Sequence, residues 1–332
     1  MGSPSSDDPN LALPASVPPI ERIYVPPPMQ TPRQPVRRWR HLILFLLTVV
    51  TTTMVGATHY AAYALDFELR TLAVSSLQFY LNGLWYSASI LAILGAHEFG
   101  HYYACRYYRV EASLPYFLPA PLPLTGTLGA FIRIRSQIPG KRELFDIGIA
   151  GPIAGFVVAI PVLLIGIALS KVSQLPANTE GFVELGEPLL FQAVSWMFFG
   201  TPPDGYSINM HPMAFAAWFG MLATALNLFP IGQLDGGHIS YAVFGRKSTY
   251  LTLVTVACLC GLTFVSNSWL VWTLLTVIML LAFGPRHPRT TDEEVPLDST
   301  RLWLAAFALL MFALCFTPAP IEPFDLVSGD SP

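Results

Sequence analysis

Charge is scarce in this sequence. Only 12% of its 332 residues are Asp, Glu, Lys or Arg, about half the share of a soluble domain. An ordinary soluble enzyme is excluded on that ground. Cysteine is scarce too: Cys105, Cys258, Cys260 and Cys315 are the full set. No C-x-x-C pair occurs, which leaves out a disulfide frame and a thiolate zinc site. All four lie in or beside apolar runs and read as buried thiols. Cys105 shares a helical face with His97, but about 12 Å of helix separates them, which makes it a poor third ligand for an ion held there. No ordinary signal peptide is expected, because the first apolar run comes late and no small-residue cleavage site follows it.

What is abundant is hydrocarbon. The chain is 53% hydrophobic, with a mean hydropathy of +0.52. Several runs approach or exceed the roughly 20 residues that span a bilayer as a helix. The expected fold is an all-α polytopic membrane protein of about six to seven transmembrane helices. A short membrane-associated β-hairpin or edge strand is expected near the active site. Spans are expected near 41–65, 77–103, 144–169, 212–229, 250–265, 269–283 and 302–316.

Residues 1–40 read as a Pro-rich disordered cytoplasmic tail, 41–240 as a catalytic membrane core, 241–316 as additional helices and 317–332 as a polar tail. Within the core, 110–143 is neither a span nor an ordinary loop. Pro115, Pro119, Pro121 and Pro123 exclude a regular helix. The alternation after Gly129 predicts a strand within 126–136. Its edge must be paired or line a polar cavity, since lipid satisfies no backbone group. The apolar patch 189–199 is too short to span and is expected to lie in the interface or re-enter.

His97-Glu98-Phe99-Gly100-His101 reads H-E-x-x-H. On a helix the two histidines lie about 40° apart and about 6 Å along the axis, so both imidazoles can reach one metal ion. Glu98 is near enough to take a proton from a water activated there. Ionisable groups are costly at membrane depth, so this cluster points to a function. Zinc in a hydrolytic site takes three protein ligands and keeps a position open. Asp235 is the best third ligand, because Pro230 and Gly232 break the helix before it and Gly236-Gly237 loosen the chain after it. The other reading of Asp235, a cap for a helix over 236–244, is compatible with ligation. Asn227 has two readings, an amide donor to a tetrahedral oxyanion or an interhelical hydrogen bond. His238 reads either as support behind the ligands or as a surface residue. His41 and His287 are expected in the interface, and His59 and His211 near the outer face.

With the N-terminus in the cytoplasm, all 18 Lys and Arg residues except Arg70 and Lys171 fall on cytoplasmic segments, as the positive-inside rule requires. That orientation brings His97–His101 and Asp235 to a similar depth.

H-E-F-G-H on one membrane helix and N-x-x-P-x-x-x-L-D-G on a later one together resemble the site-2 protease family of intramembrane zinc metalloproteases. Ala150-Gly151-Pro152 and the stretch from Gly126 to Phe131 fit that family's helix and edge-strand elements. The resemblance covers roughly residues 78–240. It implies one zinc ion per chain, held by His97, His101 and Asp235, with Glu98 as catalytic acid and base and Asn227 beside the oxyanion or substrate. It differs in Asn227-Leu228-Phe229-Pro230, where the usual N-P-x-P has a first proline. A smaller backbone change with no lost ligand is expected. No room for a PDZ domain exists between the third and fourth spans, and no soluble regulatory domain is expected after the core.

The expected partners are the lipid bilayer and a membrane-protein substrate with a transmembrane helix, trimmed beforehand. No nucleic-acid partner is expected. A substrate helix must unwind locally to be cut. Gly126, Gly129, Phe131 and Ile132 are the expected substrate-binding residues, holding the unwound segment by β-addition. The alternative is a strand that only plugs the cytoplasmic mouth. A non-catalytic scaffold of the same fold would not need Glu98, and a transporter would show internal repeats, which are not seen.

Overall fold

A computed structural model describes residues 38–66, 74–176, 182–284, 290, 292 and 295–323. These lie in the unit Arg37–Pro332, and the unit Met1–Val36 falls outside the described residues. The expectations for the N-terminal tail before Arg38, for His287 and for the end of the C-terminal tail therefore lie outside them. Arg38, Trp39 and Arg40, assigned to the tail, already belong to the first helix.

Among the described residues, three helices are long and apolar enough to cross a membrane: α1 (Arg38–Ala64), α2 (Ser76–Tyr107) and α3 (Lys141–Leu169). The Ser75 side chain caps α2 by accepting from the Gln78 N–H. Six shorter helices follow: α4 (Leu189–Phe199), α5 (Pro212–Asn227), α6 (Asp235–Phe244), α7 (Ser248–Leu262), α8 (Trp269–Phe283) and α9 (Ser299–Cys315). The expected spans correspond to α1, α2, α3, α5, α7, α8 and α9, of which only the first three have full crossing length.

Small residues bring the helices together. A Cβ on Gly56 of α1 would lie 2.3 Å from the Gly83 carbonyl of α2, and one on Gly83 would lie 2.1 Å from Thr53 O. The backbones touch there with no side chain between, as small-residue membrane contacts allow. Gly100 meets Ala150 of α3, and Gly166 of α3 meets Ala214 of α5, in the same way. The main core lies between α2, α3 and α5 and includes Tyr86, Phe145, Leu163 and Trp218.

The β element differs from expectation in extent. β1 (Tyr116–Pro119) pairs antiparallel with β2 (Thr127–Phe131), and an isolated bridge joins Ala112 to Ile134. The partner strand thus sits inside the proline-rich stretch, where Pro119 ends it and the register shifts between Phe117 and Pro119. The hairpin runs along α1 rather than sitting at one end. His41 donates to Pro115 O at 3.1 Å, and His59 donates to Leu124 O at 3.0 Å. About 27 Å of helix lies between those histidines. His41 is therefore buried under the hairpin.

Two further strand pairs were not foreseen: β3 (Lys171–Gln174) with β5 (Tyr206–Asn209), and β4 (Val183–Leu185) with β6 (Ile321–Pro323). Each is only three or four residues long, too short for a periodic pattern to announce it. Helix α6 begins at Asp235, with Gly236 and Gly237 inside its first turn, not after a loosened stretch. Cys105 and Cys315 are buried, but Cys258 and Cys260 are exposed on α7.

Candidate active site

Helix α2 carries His97, Glu98 and His101, all buried. The two imidazoles turn inward with their Nε2 atoms 3.0 Å apart. The first residue of α6 closes the cluster: Asp235 Oδ2 lies 3.1 Å from His97 Nε2, and Oδ1 lies 3.2 Å from His101 Nε2. One ligand atom from each of the three falls within 4.8 Å of the others. The preceding residue, Leu234, occupies the cap position, so Asp235 does not cap its helix.

The donor set suits a metal. His101 Nδ1 donates to the Ile147 carbonyl at 2.7 Å. That bond places the proton on Nδ1 and leaves the Nε2 lone pair aimed into the cluster, as in metal-bound histidines. Two imidazole nitrogens and one carboxylate with an open side are a catalytic zinc set.

The cluster is seated by glycines of α3. A Cβ on Gly151 would lie 2.1 Å from His101 Nε2, and one on Gly155 would lie 3.1 Å from His97 Cβ. Bare backbone at these two positions makes room for the rings. Asp235 is fixed from the other side. The break after α5 folds back on α6, so that a Cβ on Gly236 would lie 2.0 Å from Leu228 O and one on Gly237 2.3 Å from Gly232 O. Gly232 itself has φ +51, a conformation that suits glycine. The Leu228 N–H donates to Thr224 O at 3.0 Å, a bond that a proline here would lose.

Glu98 Oε1 is 4.0 Å from His97 Nε2, beside the cluster but outside its donor set. The backbone N–H of Ile132, the residue after β2, faces this carboxylate. Asn227, the last residue of α5, places its side-chain nitrogen 3.5 Å from His97 Nε2. That is the outer limit of a hydrogen bond.

The remaining expected residues spread out. Ile132 packs its side chain with Cys105 and Ile147. Phe131 is exposed and stacks on Tyr116. Gly129 has φ +95 and open space where a Cβ would stand. Gly126, at φ +67, is pressed on the backbone of Thr51 and Thr52 in α1, away from the metal cluster. The His238 Cβ faces Gly148 of α3. Sequence reasoning missed two features. The Ile147 carbonyl is backbone and has no signature. Asp146 did have a signal, a carboxylate inside an apolar run. It is bonded by Tyr108 and Arg301.

A family model for peptidase family M50 matches residues 85–266, more than half of the chain. The chain belongs to peptidase family M50. This is the site-2 protease family, and its match covers the H-E-x-x-H helix, the α3 glycines and Asp235. Among individual proteins, the chain is similar to "Probable zinc metalloprotease EGY2, chloroplastic" of Arabidopsis thaliana. They are 29% identical over 250 residues, 75% of this chain and 44% of the relative. It is also similar to "Probable zinc metalloprotease EGY1, chloroplastic" of Oryza sativa subsp. japonica, 29% identical over 309 residues, 86% and 52%. "Probable zinc metallopeptidase EGY3, chloroplastic" of Arabidopsis thaliana is 28% identical over 244 residues, 68% and 40%. The chain spans about half the length of these curated relatives.

Proposed function

We propose that this M50 peptidase is an intramembrane zinc endopeptidase that cuts peptide bonds in or beside transmembrane segments of membrane proteins. The observation that carries this is the convergence of buried His97 and His101 with half-buried Asp235 among apolar helices, with Glu98 beside them. His97, His101 and Asp235 would hold one zinc ion. When bound, zinc supplies a Lewis acid that acidifies a water and polarises the scissile carbonyl. Glu98 accepts the proton from the attacking water and returns it to the leaving amine. Asn227 directs its amide at the same space and offers a donor to the developing oxyanion.

The substrate enters as an extended segment. β1 occupies one edge of β2, and the Ile132 N–H faces Glu98 from just beyond the strand. An unwound substrate strand laid along β2 would bring its backbone directly to the base. Gly129, Phe131 and Ile132 are its proposed contacts. Gly126, spent on α1, anchors the hairpin instead. His238 supports the metal end from behind Gly148.

The proposed topology has seven crossings, with the N-terminus in the cytoplasm of the cell membrane and the site toward the cytoplasmic face. The 41–240 core is catalytic, and the later helices complete the bundle. The distribution of Lys and Arg supports this. So does the pairing of β6, after α9, with β4, between α3 and α5, since both then share the outer side. The proposed partners are the bilayer and a membrane protein whose helix has been trimmed beforehand.

The test is zinc content and cleavage of a single-span model substrate in Glu98→Gln. Zinc should be retained and cleavage should fall about 10²–10⁴-fold. Wild-type cleavage by that variant would sink the assignment, and zinc without cleavage in the native chain would leave a scaffold.

A further inference from the structure

Asp146 lies one residue before Ile147, whose carbonyl holds His101 Nδ1 at 2.7 Å. Its carboxylate gathers three donors from two other helices. Arg301 of α9 donates from Nε to Oδ1 at 2.9 Å and from Nη2 to Oδ2, and the Tyr108 hydroxyl at the end of α2 donates to Oδ2. The planar guanidinium fork fixes orientation as well as distance. Arg301 is itself held by Asp298, which caps α9.

Helices α2 and α3 are therefore tied by two rungs. The upper is His101 to Ile147; the lower is Tyr108 to Asp146, about two turns further along α2. Arg301 braces the lower rung from a third helix. A second tie acts on the same end of α3. Asp292 Oδ1 accepts from the Lys141 N–H at 2.8 Å, and the Lys141 ammonium donates to Val295 O at 3.2 Å. Asp292, Val295 and Arg301 thus grip the first two turns of α3. Those turns carry Ile147, and the helix continues directly into Gly151 and Gly155, the seats of both histidines. The Arg301–Asp146 ion pair is bidentate and only partly exposed, each side chain at 21%, a geometry that fixes orientation as well as distance. Its adjacency to the His101 acceptor gives that orientation a use.

We propose that Arg301 and Asp146 are positioning residues for the zinc ligand His101. They set the place of the Ile147 carbonyl, and through it the tautomer and reach of the imidazole. All of α9 lies beyond the segment matched by the M50 model. The inference rests on the reading of His97, His101 and Asp235 as ligands.

The test uses the full chain in detergent, with zinc measured against a competing chelator and cobalt as a spectroscopic substitute. Asp235→Ala is the reference. Arg301→Gln and Asp146→Asn should weaken zinc binding about 10–100-fold, the usual effect of losing support behind a ligand, and should alter the cobalt d–d spectrum. Arg301→Lys, with charge but no fork, should fall between them and wild type. Should those variants fail to fold, Tyr108→Phe removes only a hydroxyl and should shift zinc affinity and spectrum in the same direction. Folded variants with wild-type affinity and an unchanged spectrum would overturn the proposal, as would a lowered melting temperature of the metal-free protein with affinity intact. Failure of the ligand reading is separate: it would show as zinc retained by Asp235→Ala.

Discussion

A methyl group added at Gly151 would stand 2.1 Å from the Nε2 of His101. Gly151→Ala is therefore expected to fold but to push the imidazole out of the cluster, with zinc affinity down about tenfold or more. Gly155→Ala, at 3.1 Å from His97 Cβ, should cost less. Metal content after dialysis checks both; equal zinc in Gly151→Ala and wild type would refute the seating. The four charged or imidazole residues of the cluster are legible in the sequence because metal and proton chemistry requires those side chains, which are scarce in apolar runs. The glycines of α3 are legible as a small-residue face, but not as a mould for two rings. The Ile147 carbonyl is illegible, since every residue has one.

At the scale of elements, the hairpin of β1 and β2 ties the substrate route to the base. Phe131→Pro removes a backbone donor from β2, where Phe131 is paired with Tyr116, and fixes φ in the strand. Cleavage should fall at least tenfold with zinc content unchanged; intact cleavage in a well-folded variant would remove the strand from the mechanism. Helix α5 offers a pH test. His211 caps it by accepting from the Met213 N–H at 3.3 Å, and burial holds its imidazole down at about 4, against an ordinary 6.5. The unfolded chain takes up a proton that the folded chain refuses, so stability should drop as pH falls from about 6.5 toward about 4 and stay level above that window. His211→Asn keeps a capping acceptor, and its melting temperature should vary less with pH there. A slope equal to wild type would count against the assignment. Helices of this chain announce themselves by apolar length. The strand at 127–131 shows in its composition, but its partner hides among prolines, and the short pairs β3–β5 and β4–β6 form only because tertiary folding brings remote segments together.

At the scale of the whole molecule, the proposed orientation puts the exposed loop at Asp204 on the outer side. In a chain carrying Cys258→Ser and Cys260→Ser, Asp204→Cys should react with a membrane-impermeant maleimide on intact cells. Labelling only after lysis would reverse the topology. Helices α7, α8 and α9, of 15–17 residues, measure about 22–26 Å and fall short of a full bilayer core. The clamp on α3 also has a meaning in time. Asp146 and Arg301 are 155 positions apart, so the ribosome has long finished α2 and α3 when α9 emerges. Until then the histidine pair is present without its brace. On the proposed bracing, a chain assembled in that order completes its hold on metal last, once α9 has joined α3.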